Sequence, residues 1–408
     1  MSVSAFGAAG APSASRVAAA LRHVADDPSV ELGPRTVERL CDRLREAATF
    51  LADLPLTDGP ADRPASFRYL LELLAYAVDA VVLHTDPLEP MFSSPHRNYL
   101  VDWGAASPDG VYRRVAVRHD LAYRVHGRLG NADYFALDFR TTGPPFTILR
   151  DDIVAAEDGT FEVFLGGAPQ VRSWWPLTEG TTGLLVREFF ADWPAAETSH
   201  LRIDCLDGAI APRAEHSPAR VAAEFDAIGD WILDAGVKFW AERSRQAGEE
   251  VPNAFRPTVA RTGTKLPVYT HGLWELRPDE ALLIELPDPE ARFWGLQLAT
   301  SLWSTLDYAN RLTTFNCGQA RPDDDGVFRF VLAHDDPGVR NWLDTTGLAR
   351  GILILRCHQA GNFQVPGTKV VKLADVDDLV PDAGRVSRGE RLVQIAERRE
   401  GVSRMVCG

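Results

Sequence analysis

The segment between residues 334 and 344 combines an imidazole with several carboxylates. His334 is followed directly by Asp335, and Asp344 ends the segment. A neighbouring carboxylate favours the imidazolium and raises the pKa of a histidine, which suits proton transfer near neutral pH. Asp307 lies in a second polar segment, residues 301–316. The sequence therefore predicts acid–base chemistry with four candidate catalytic residues, which are Asp307, His334, Asp335 and Asp344.

The same part of the chain carries side chains that could hold a small molecule. Arginine binds carboxylates, phosphates and developing oxyanions in a bidentate manner. Aromatic faces suit an apolar ligand, and a few polar groups orient it. The predicted substrate-binding residues are Trp303, Tyr308, Arg311, Asn316, Asn341, Trp342 and Arg356. We expect a moderately apolar ligand, such as a polyketide, terpenoid or steroid-like compound.

Structural roles would explain some of these residues equally well. Asp307 and Arg311 are spaced i and i+4, so they could brace a short helix, and Trp303 could belong to a core. Residues 336–338 have the turn sequence Asp-Pro-Gly, which would leave His334 facing solvent.

Common cofactor motifs are absent from the sequence. It contains neither Gly-x-Ser-x-Gly nor a Walker loop, and no Rossmann glycine triplet follows a predicted strand. We therefore expect no organic cofactor. A weaker alternative is a metal site formed by His334, Asp335 and Asp344, which elemental analysis would test.

Both polar segments lie where the second copy of an internal repeat departs from the first. Three stretches correspond, which are 132–137 with 291–296, 158–165 with 325–332, and 182–187 with 350–355. Before Asp325 the second copy is longer by about eight residues, and after its 328–332 strand it has polar residues where the first has small or apolar ones. The repeat predicts two similar β units, and the differences between them point to the site.

Alternating apolar residues with Gly and Asp-Gly turns predict strands, whereas apolar spacings of three and four predict helices near both ends. We expect an α+β, mainly β fold with two related antiparallel β-sandwich-like units. Ser217 and Pro218 predict a helix start, with a hydroxyl N-cap and proline in the first turn. The expected boundaries are a disordered tail over 1–14, a helical region over 15–90, a first β unit over 95–210, a connector helix over 217–248, a second β unit over 265–375 and a charged helical tail over 376–408.

The composition limits the partners. The formal net charge is −14 and no basic stripe is present, which disfavours nucleic acid and anionic membranes. The five cysteines are scattered without Cys-x-x-Cys spacing, and residues 1–13 lack the charged start and apolar block of a signal peptide. We expect a cytoplasmic protein that binds a small molecule, and we allow for a homodimer.

The second unit resembles the "domain of unknown function" family numbered 1214. The resemblance is clear over residues 265–358 and weaker over 108–192, and it rests on Trp274-Glu275-Leu276, Asp279-Glu280-Ala281, Arg292-Phe293-Trp294, Trp303, Leu306-Asp307-Tyr308, Arg311, Asp325-Gly326, Asp336-Pro337-Gly338 and Asn341-Trp342-Leu343-Asp344. It implies a β-sandwich domain of bacterial, often actinobacterial, origin and no established activity. Many relatives have tryptophan where this chain has Cys357, so we expect different packing there.

Two functions fit these observations. The first is a cofactor-independent acid–base enzyme, an isomerase, lyase or hydrolase, acting on a small molecule of secondary or lipid-like metabolism. The alternative is a non-catalytic protein that binds a small molecule or a carbohydrate. Fold alone does not choose between them.

We predict that Asp307 and Arg311 form one pocket with the loop 334–344. Arg311→Ala should then weaken ligand binding or turnover by about 2–4 kcal/mol, the scale of a lost charge-assisted contact, with little change in melting temperature. If Arg311 only pairs with Asp307, stability should fall while ligand affinity stays intact. Measuring both quantities for this one variant separates the two roles.

Overall fold

The computed structural model describes residues 14–94, 103–143, 146–171, 173–207, 217–257, 267–379 and 384–407. The tail predicted over 1–14 lies outside these residues except for Ala14. The helices are α1 (Ala14–Leu21), α2 (Pro34–Asp53), α3 (Asp62–Ala77), α4 (Pro218–Trp231), α5 (Phe239–Glu250), α6 (Val376–Leu379) and α7 (Arg388–Cys407). A π-helical turn, Val78–Val82, extends α3, and another, Ile232–Lys238, joins α4 to α5. Short 3₁₀ turns occur at Pro55–Thr57, Arg150–Asp152 and Leu373–Asp375.

Within the described residues the strands fall into two groups of eight. The first group is β1 (Gly110–Val115), β2 (Tyr123–Arg128), β3 (Tyr134–Thr141), β4 (Thr147–Leu149), β5 (Thr160–Leu165), β6 (Trp174–Trp175), β7 (Thr181–Phe189) and β8 (His200–Cys205). The second is β9 (Val268–Glu275), β10 (Glu280–Leu286), β11 (Ala291–Ala299), β12 (Thr314–Asn316), β13 (Phe328–Ala333), β14 (Trp342–Asp344), β15 (Arg350–Ala360) and β16 (Gly367–Lys372).

The two groups fold with the same topology. The first unit has sheets β1-β7-β3-β4 and β6-β5-β2-β8, and the second has β9-β15-β11-β12 and β14-β13-β10-β16. Strand by strand these orders are identical, which confirms the predicted duplication. One detail differs from the prediction, because β6 pairs with β5, and β14 with β13, in parallel. The parallel direction means that the chain returns to the starting end of β5 before β6 begins, and to that of β13 before β14 begins.

The match of 182–187 with 350–355 is wrong by one residue. Val186 pairs with Leu137 of β3, and Leu355 pairs with Leu296 of β11. Because residues 137 and 296 correspond, Val186 corresponds to Leu355, a position that the sequence match had given to Arg187. A glycine near the start of each strand favoured the wrong register. A slip of one residue exchanges the two faces of a strand, so this error hides which side chains are equivalent.

The helices pack together and against the sheets. α2 lies against α4, and α5 lies against β9. The connector begins as its sequence predicts, because the Ser217 hydroxyl accepts a hydrogen bond from the Arg220 backbone at 3.2 Å. Its π turn frees carbonyl groups from the regular ladder, and the Trp103 indole donates to one of them, Ala235 O, at 3.2 Å.

The charged helix α7 is packed against the second unit rather than exposed along its length. Arg391 is 5% exposed, binds the Asp336 carboxylate at 2.8 and 3.0 Å, and lies over the Trp342 ring at 5.2 Å. Arg398 is 6% exposed and donates to the Arg311 carbonyl at 3.2 Å. These buried guanidinium groups anchor the helix to the loops of the second unit.

A buried carboxylate joins the two units. Asp109, which directly precedes β1, is 1% exposed and accepts hydrogen bonds from Asn316 Nδ2 at 2.7 Å and from Trp193 Nε1 at 3.0 Å. The Ser107 hydroxyl donates to its second oxygen at 3.2 Å. Burial raises the pKa of Asp109, and these donors oppose that shift.

We predict that Asp109→Ala lowers the free energy of unfolding by about 2–4 kcal/mol, because it leaves the buried Trp193 indole N–H and one N–H of the Asn316 amide without an acceptor. Asp109→Asn is the matched control, since its amide oxygen can still accept from Asn316 and Trp193. Urea denaturation of the three proteins measures the effect. An alanine variant as stable as the asparagine variant would contradict this role.

Candidate functional site

The two units meet through the outer faces of the β7 and β15 sheets. Side chains alternate between the faces of a strand. In β15, Leu353, Leu355 and Cys357 belong to the core of the second sandwich, so Arg356 and His358 lie on the opposite face, toward the first unit. Each of these sheets therefore has an apolar inner face and an outer face that carries polar groups.

Corresponding residues lie on the two sheet faces that form this contact. The strand registers relate three pairs of positions, which are Tyr112 with Tyr269, Arg187 with Arg356, and Asp138 with Gln297. Arg187 binds the Asp138 carboxylate at 2.5 Å, and Arg356 donates to Gln297 Oε1. The same constellation is thus built twice, once with a charged acceptor and once with a neutral one.

Aromatic contacts follow the same symmetry. Phe189 stacks on Phe293 with 5.2 Å between ring centroids, and Tyr134 packs on His358 at 4.2 Å. Phe189 corresponds to His358 and Phe293 to Tyr134, so each contact is the counterpart of the other. The units are therefore related by an approximate two-fold axis, as in an isologous dimer interface.

His358 is the most unusual group in this contact. Its side chain is fully buried, and neither ring nitrogen has a hydrogen-bond partner among the described residues. Burial, with Arg187 and Arg356 nearby, lowers the pKa of His358 well below its ordinary value. The imidazole is therefore neutral at physiological pH. Unpartnered buried polar groups are rare and point to a bound water or ligand, or to a catalytic role.

The neighbouring tyrosines keep their protons. Burial raises the pKa of Tyr112 to about 12 and that of Tyr134 beyond its ordinary range. Arg187 donates to the Tyr269 hydroxyl at 3.1 Å. Burial opposes the charge of Arg187, but Asp138 and the phenols raise its pKa, so the guanidinium stays charged.

We call this group of side chains the inter-unit site: Tyr112, Tyr134, Arg187, Tyr269, Arg356 and His358. Tyr112, Arg187 and Tyr269 are half-buried, whereas Tyr134, Arg356 and His358 are buried. A neutral imidazole can accept a proton, phenols can donate one, and guanidinium groups can stabilise an oxyanion. The site therefore has the groups that acid–base chemistry needs.

Two of the residues predicted from the sequence lie at the contact between the units. Arg356 donates to the Ala105 carbonyl in addition to Gln297. Asn316 is fully buried and holds Asp109.

Two predicted aromatic residues are core residues. Trp303 is fully buried, and its indole donates to the Ser244 hydroxyl at 3.0 Å. Tyr308 is 1% exposed and packs edge-on against Trp193 at 5.9 Å.

Two further predicted residues, Asn341 and Trp342, stabilise the second unit through hydrogen bonds to its backbone. Asn341 Nδ2 donates to the carbonyls of Arg321 and Arg329 at 2.8 and 3.0 Å. The Trp342 indole donates to the Ala333 carbonyl at 3.2 Å. These bonds tie β14 and its preceding loop to β13.

Arg311 contacts the loop 334–344, as predicted, by pairing with Asp344. The two side chains form an ion pair at 2.9 Å, in which Arg311 is 51% and Asp344 7% exposed. Asp307 instead accepts hydrogen bonds from the backbone and side chain of Asn310 at 3.0 and 3.1 Å. The alternative expectation of an Asp307–Arg311 brace is therefore replaced by a pair between Arg311 and Asp344.

The predicted histidine has partners on both ring nitrogens. His334 Nε2 lies 3.2 Å from the Leu276 carbonyl, and Nδ1 lies 2.9 Å from the Thr345 hydroxyl. Asp335 is exposed. Within the described ranges, no three His, Cys, Asp or Glu side chains are grouped to hold a metal ion, and no helix is long and apolar enough to span a membrane.

Sequence reasoning missed five residues of the inter-unit site, which are Tyr112, Tyr134, Arg187, Tyr269 and His358. The sequence did contain a signal for His358. In the correct register it is a polar residue of the second copy at the position where the first copy has the apolar Phe189. The register error concealed it.

Comparisons with known proteins bear on the fold. No family model matches the chain, and no curated protein does. An uncharacterized protein of Burkholderia cenocepacia is similar in structure, with a TM-score of 0.76 and 28% identity over 83% of this chain and 97% of that one. The VPA0106 protein of Vibrio parahaemolyticus aligns over 80% of this chain and 100% of its own, at 12% identity and a TM-score of 0.45.

We predict that buried neutral His358 makes the protein less stable in acid. The unfolded chain binds a proton at this histidine below a pH of about 6.5, whereas the folded protein does not. Stability is therefore lost as pH falls below that value, by up to about 1.4 kcal/mol per pH unit for one proton, until the lowered folded-state pKa is reached.

His358→Phe, which introduces the residue found at the corresponding Phe189, removes this contribution. Free energies of unfolding at pH 7 and pH 5 should show that wild type loses more stability than the variant between these two values. An equal loss in both proteins would mean that His358 is not a buried neutral group.

Proposed function

We propose that the protein is a cofactor-independent acid–base enzyme, and that its reaction takes place at the inter-unit site. The observation that carries the proposal is His358, a buried imidazole that stays neutral and has no hydrogen-bond partner among the described residues. Its basic nitrogen is not used elsewhere, and a substrate anion bound by Arg187 and Arg356 would offset the positive charge that, together with burial, lowers the pKa of His358, so that the imidazole could accept a proton.

The roles of the other groups follow from their protonation states. His358 removes or relays a proton, and the Tyr134 and Tyr269 hydroxyls return one. Arg187 and Arg356 stabilise the negative charge that develops on a substrate oxygen. Their guanidinium groups are already held by Asp138 and Gln297, so little reorganisation is needed when that charge appears.

The substrate class follows from the walls of the site. Phe189 and Phe293 provide an apolar surface next to His358, while the tyrosines and arginines provide donors. A moderately apolar small molecule with a carbonyl or carboxylate oxygen fits this mixture. An isomerase, lyase or hydrolase of secondary or lipid-like metabolism would act on such a compound.

The proposal also includes what the resemblance to the family numbered 1214 implies. Membership of that family, a cytoplasmic location and an actinobacterial source belong to the proposal as well. The alternative, a protein that binds a small molecule or a carbohydrate without transforming it, is an outcome of the test that follows.

The test is a thermal-shift screen of small carbonyl compounds and carboxylic acids. Compounds that raise the melting temperature are incubated with the protein in D₂O and followed by proton NMR. We expect wild type to exchange a C–H proton of at least one such compound or to convert it. His358→Phe should still bind that compound, with a rate lower by about 10²–10⁴-fold, the usual contribution of a general base.

The controls separate catalysis from binding. His334→Phe changes a histidine outside the inter-unit site and should leave the rate unchanged. Binding with neither exchange nor conversion by wild type would support the alternative. Equal rates for wild type and His358→Phe would remove His358 from the mechanism.

A further inference from the structure

A second group of buried polar atoms surrounds the Trp303 ring, where α5 crosses β9. The Trp240 ring lies 4.8 Å from that of Trp303, the His271 ring 5.0 Å from it, and the Arg243 guanidinium carbon 5.9 Å from it. We call Trp240, Arg243 and His271 the Arg243 cluster. None of the three belongs to the inter-unit site.

Each member of the cluster presents a buried nitrogen without a partner. Among the described residues, Trp240 Nε1, Arg243 Nε and His271 Nε2 make no hydrogen bond. Trp240 is 3% and His271 7% exposed, so bulk water does not satisfy these atoms. The indole and guanidinium nitrogens are donors only, and the imidazole becomes a third donor in its Nε2–H tautomer. Buried donors without a partner on three side chains that contact one ring point to a bound acceptor.

The charge around the cluster is positive. Arg256 lies close by, since its backbone donates to the His271 carbonyl at 2.8 Å. Burial and the two arginines lower the pKa of His271 to about 3, so the ring is neutral and adds no charge of its own. The carboxylates of Glu242 and Glu249 on α5 bind Arg245 instead of Arg243.

We propose that the Arg243 cluster is a binding site for a small oxyanion, a carboxylate or a phosphate group. The guanidinium supplies the charge, and the indole and imidazole N–H groups donate to the oxygens of the anion. Such charge-assisted bonds are stronger than neutral ones. The proposal stands on its own geometry and does not depend on the reaction at the inter-unit site.

The experiment is calorimetric titration of the full chain with sodium acetate and, separately, with sodium phosphate, against sodium chloride at matched ionic strength. We expect saturable binding of at least one of the two anions at millimolar affinity or better. A preference for acetate identifies a carboxylate site, and a preference for phosphate identifies a phosphate site. If neither anion binds saturably, the proposal is overturned.

Variants locate the bound anion. Arg243→Gln should weaken binding at least about tenfold, a change of about 1.4 kcal/mol. Trp240→Phe, which removes the indole N–H and keeps an aromatic ring, should weaken it by a smaller factor. This second variant tests the site independently if Arg243→Gln does not fold. Arg277→Gln changes an arginine that is 78% exposed and should have no effect.

A fourth variant, Arg187→Lys, separates this site from the inter-unit site. If Arg187→Lys abolishes anion binding while Arg243→Gln and Trp240→Phe leave it unchanged, the anion binds between the units and the proposal fails. Binding that survives Arg187→Lys and is lost in Arg243→Gln supports it, whatever the outcome for catalysis.

Discussion

The architecture depends on a sheet that is buried on both faces. In each unit the sheet containing β7 or β15 covers its own sandwich core with one face and contacts the rest of the molecule with the other. Strand periodicity then allows apolar residues on the inner face and polar residues on the outer face of the same strand. Polar side chains on that outer face are removed from water, so they must find partners in the other unit or in the helices.

This constraint explains why buried polar side chains occur together with hydrogen-bond or ion-pair partners. Arg187 and Arg356 each take an acceptor from the third strand of their own unit, and Asp109 takes one donor, Asn316, from the other unit. Two of the exceptions lie at or over this outer face. His358 and the Arg243 cluster keep unpartnered nitrogens among the described residues, and both lie on this buried outer face or directly over it.

Sequence patterns predicted what depends on local periodicity. Alternation located the long strands, Ser217 and Pro218 located the connector helix, and the repeat gave two units of one topology. What they missed depends on contacts between distant residues. The sequence shows that Trp303 is an aromatic residue among polar neighbours. Only the packing of α5 on β9 makes it a core residue. The register of β15 could not be fixed by similarity alone, because apolar alternation matches nearly as well after a slip of one residue.

The approximate two-fold axis has a consequence for how such a site can arise. In a homodimer of a single unit, every residue near the axis occurs twice. A histidine at position 358 would then be accompanied by the same histidine of the second subunit, at the place that Phe189 occupies here. Joining two units in one chain removes that restriction. One half can keep phenylalanine at position 189 while the other carries histidine, and one arginine can have a charged acceptor while its counterpart has a neutral one. Gene fusion thus turns a symmetric interface into one in which the two sides can specialise.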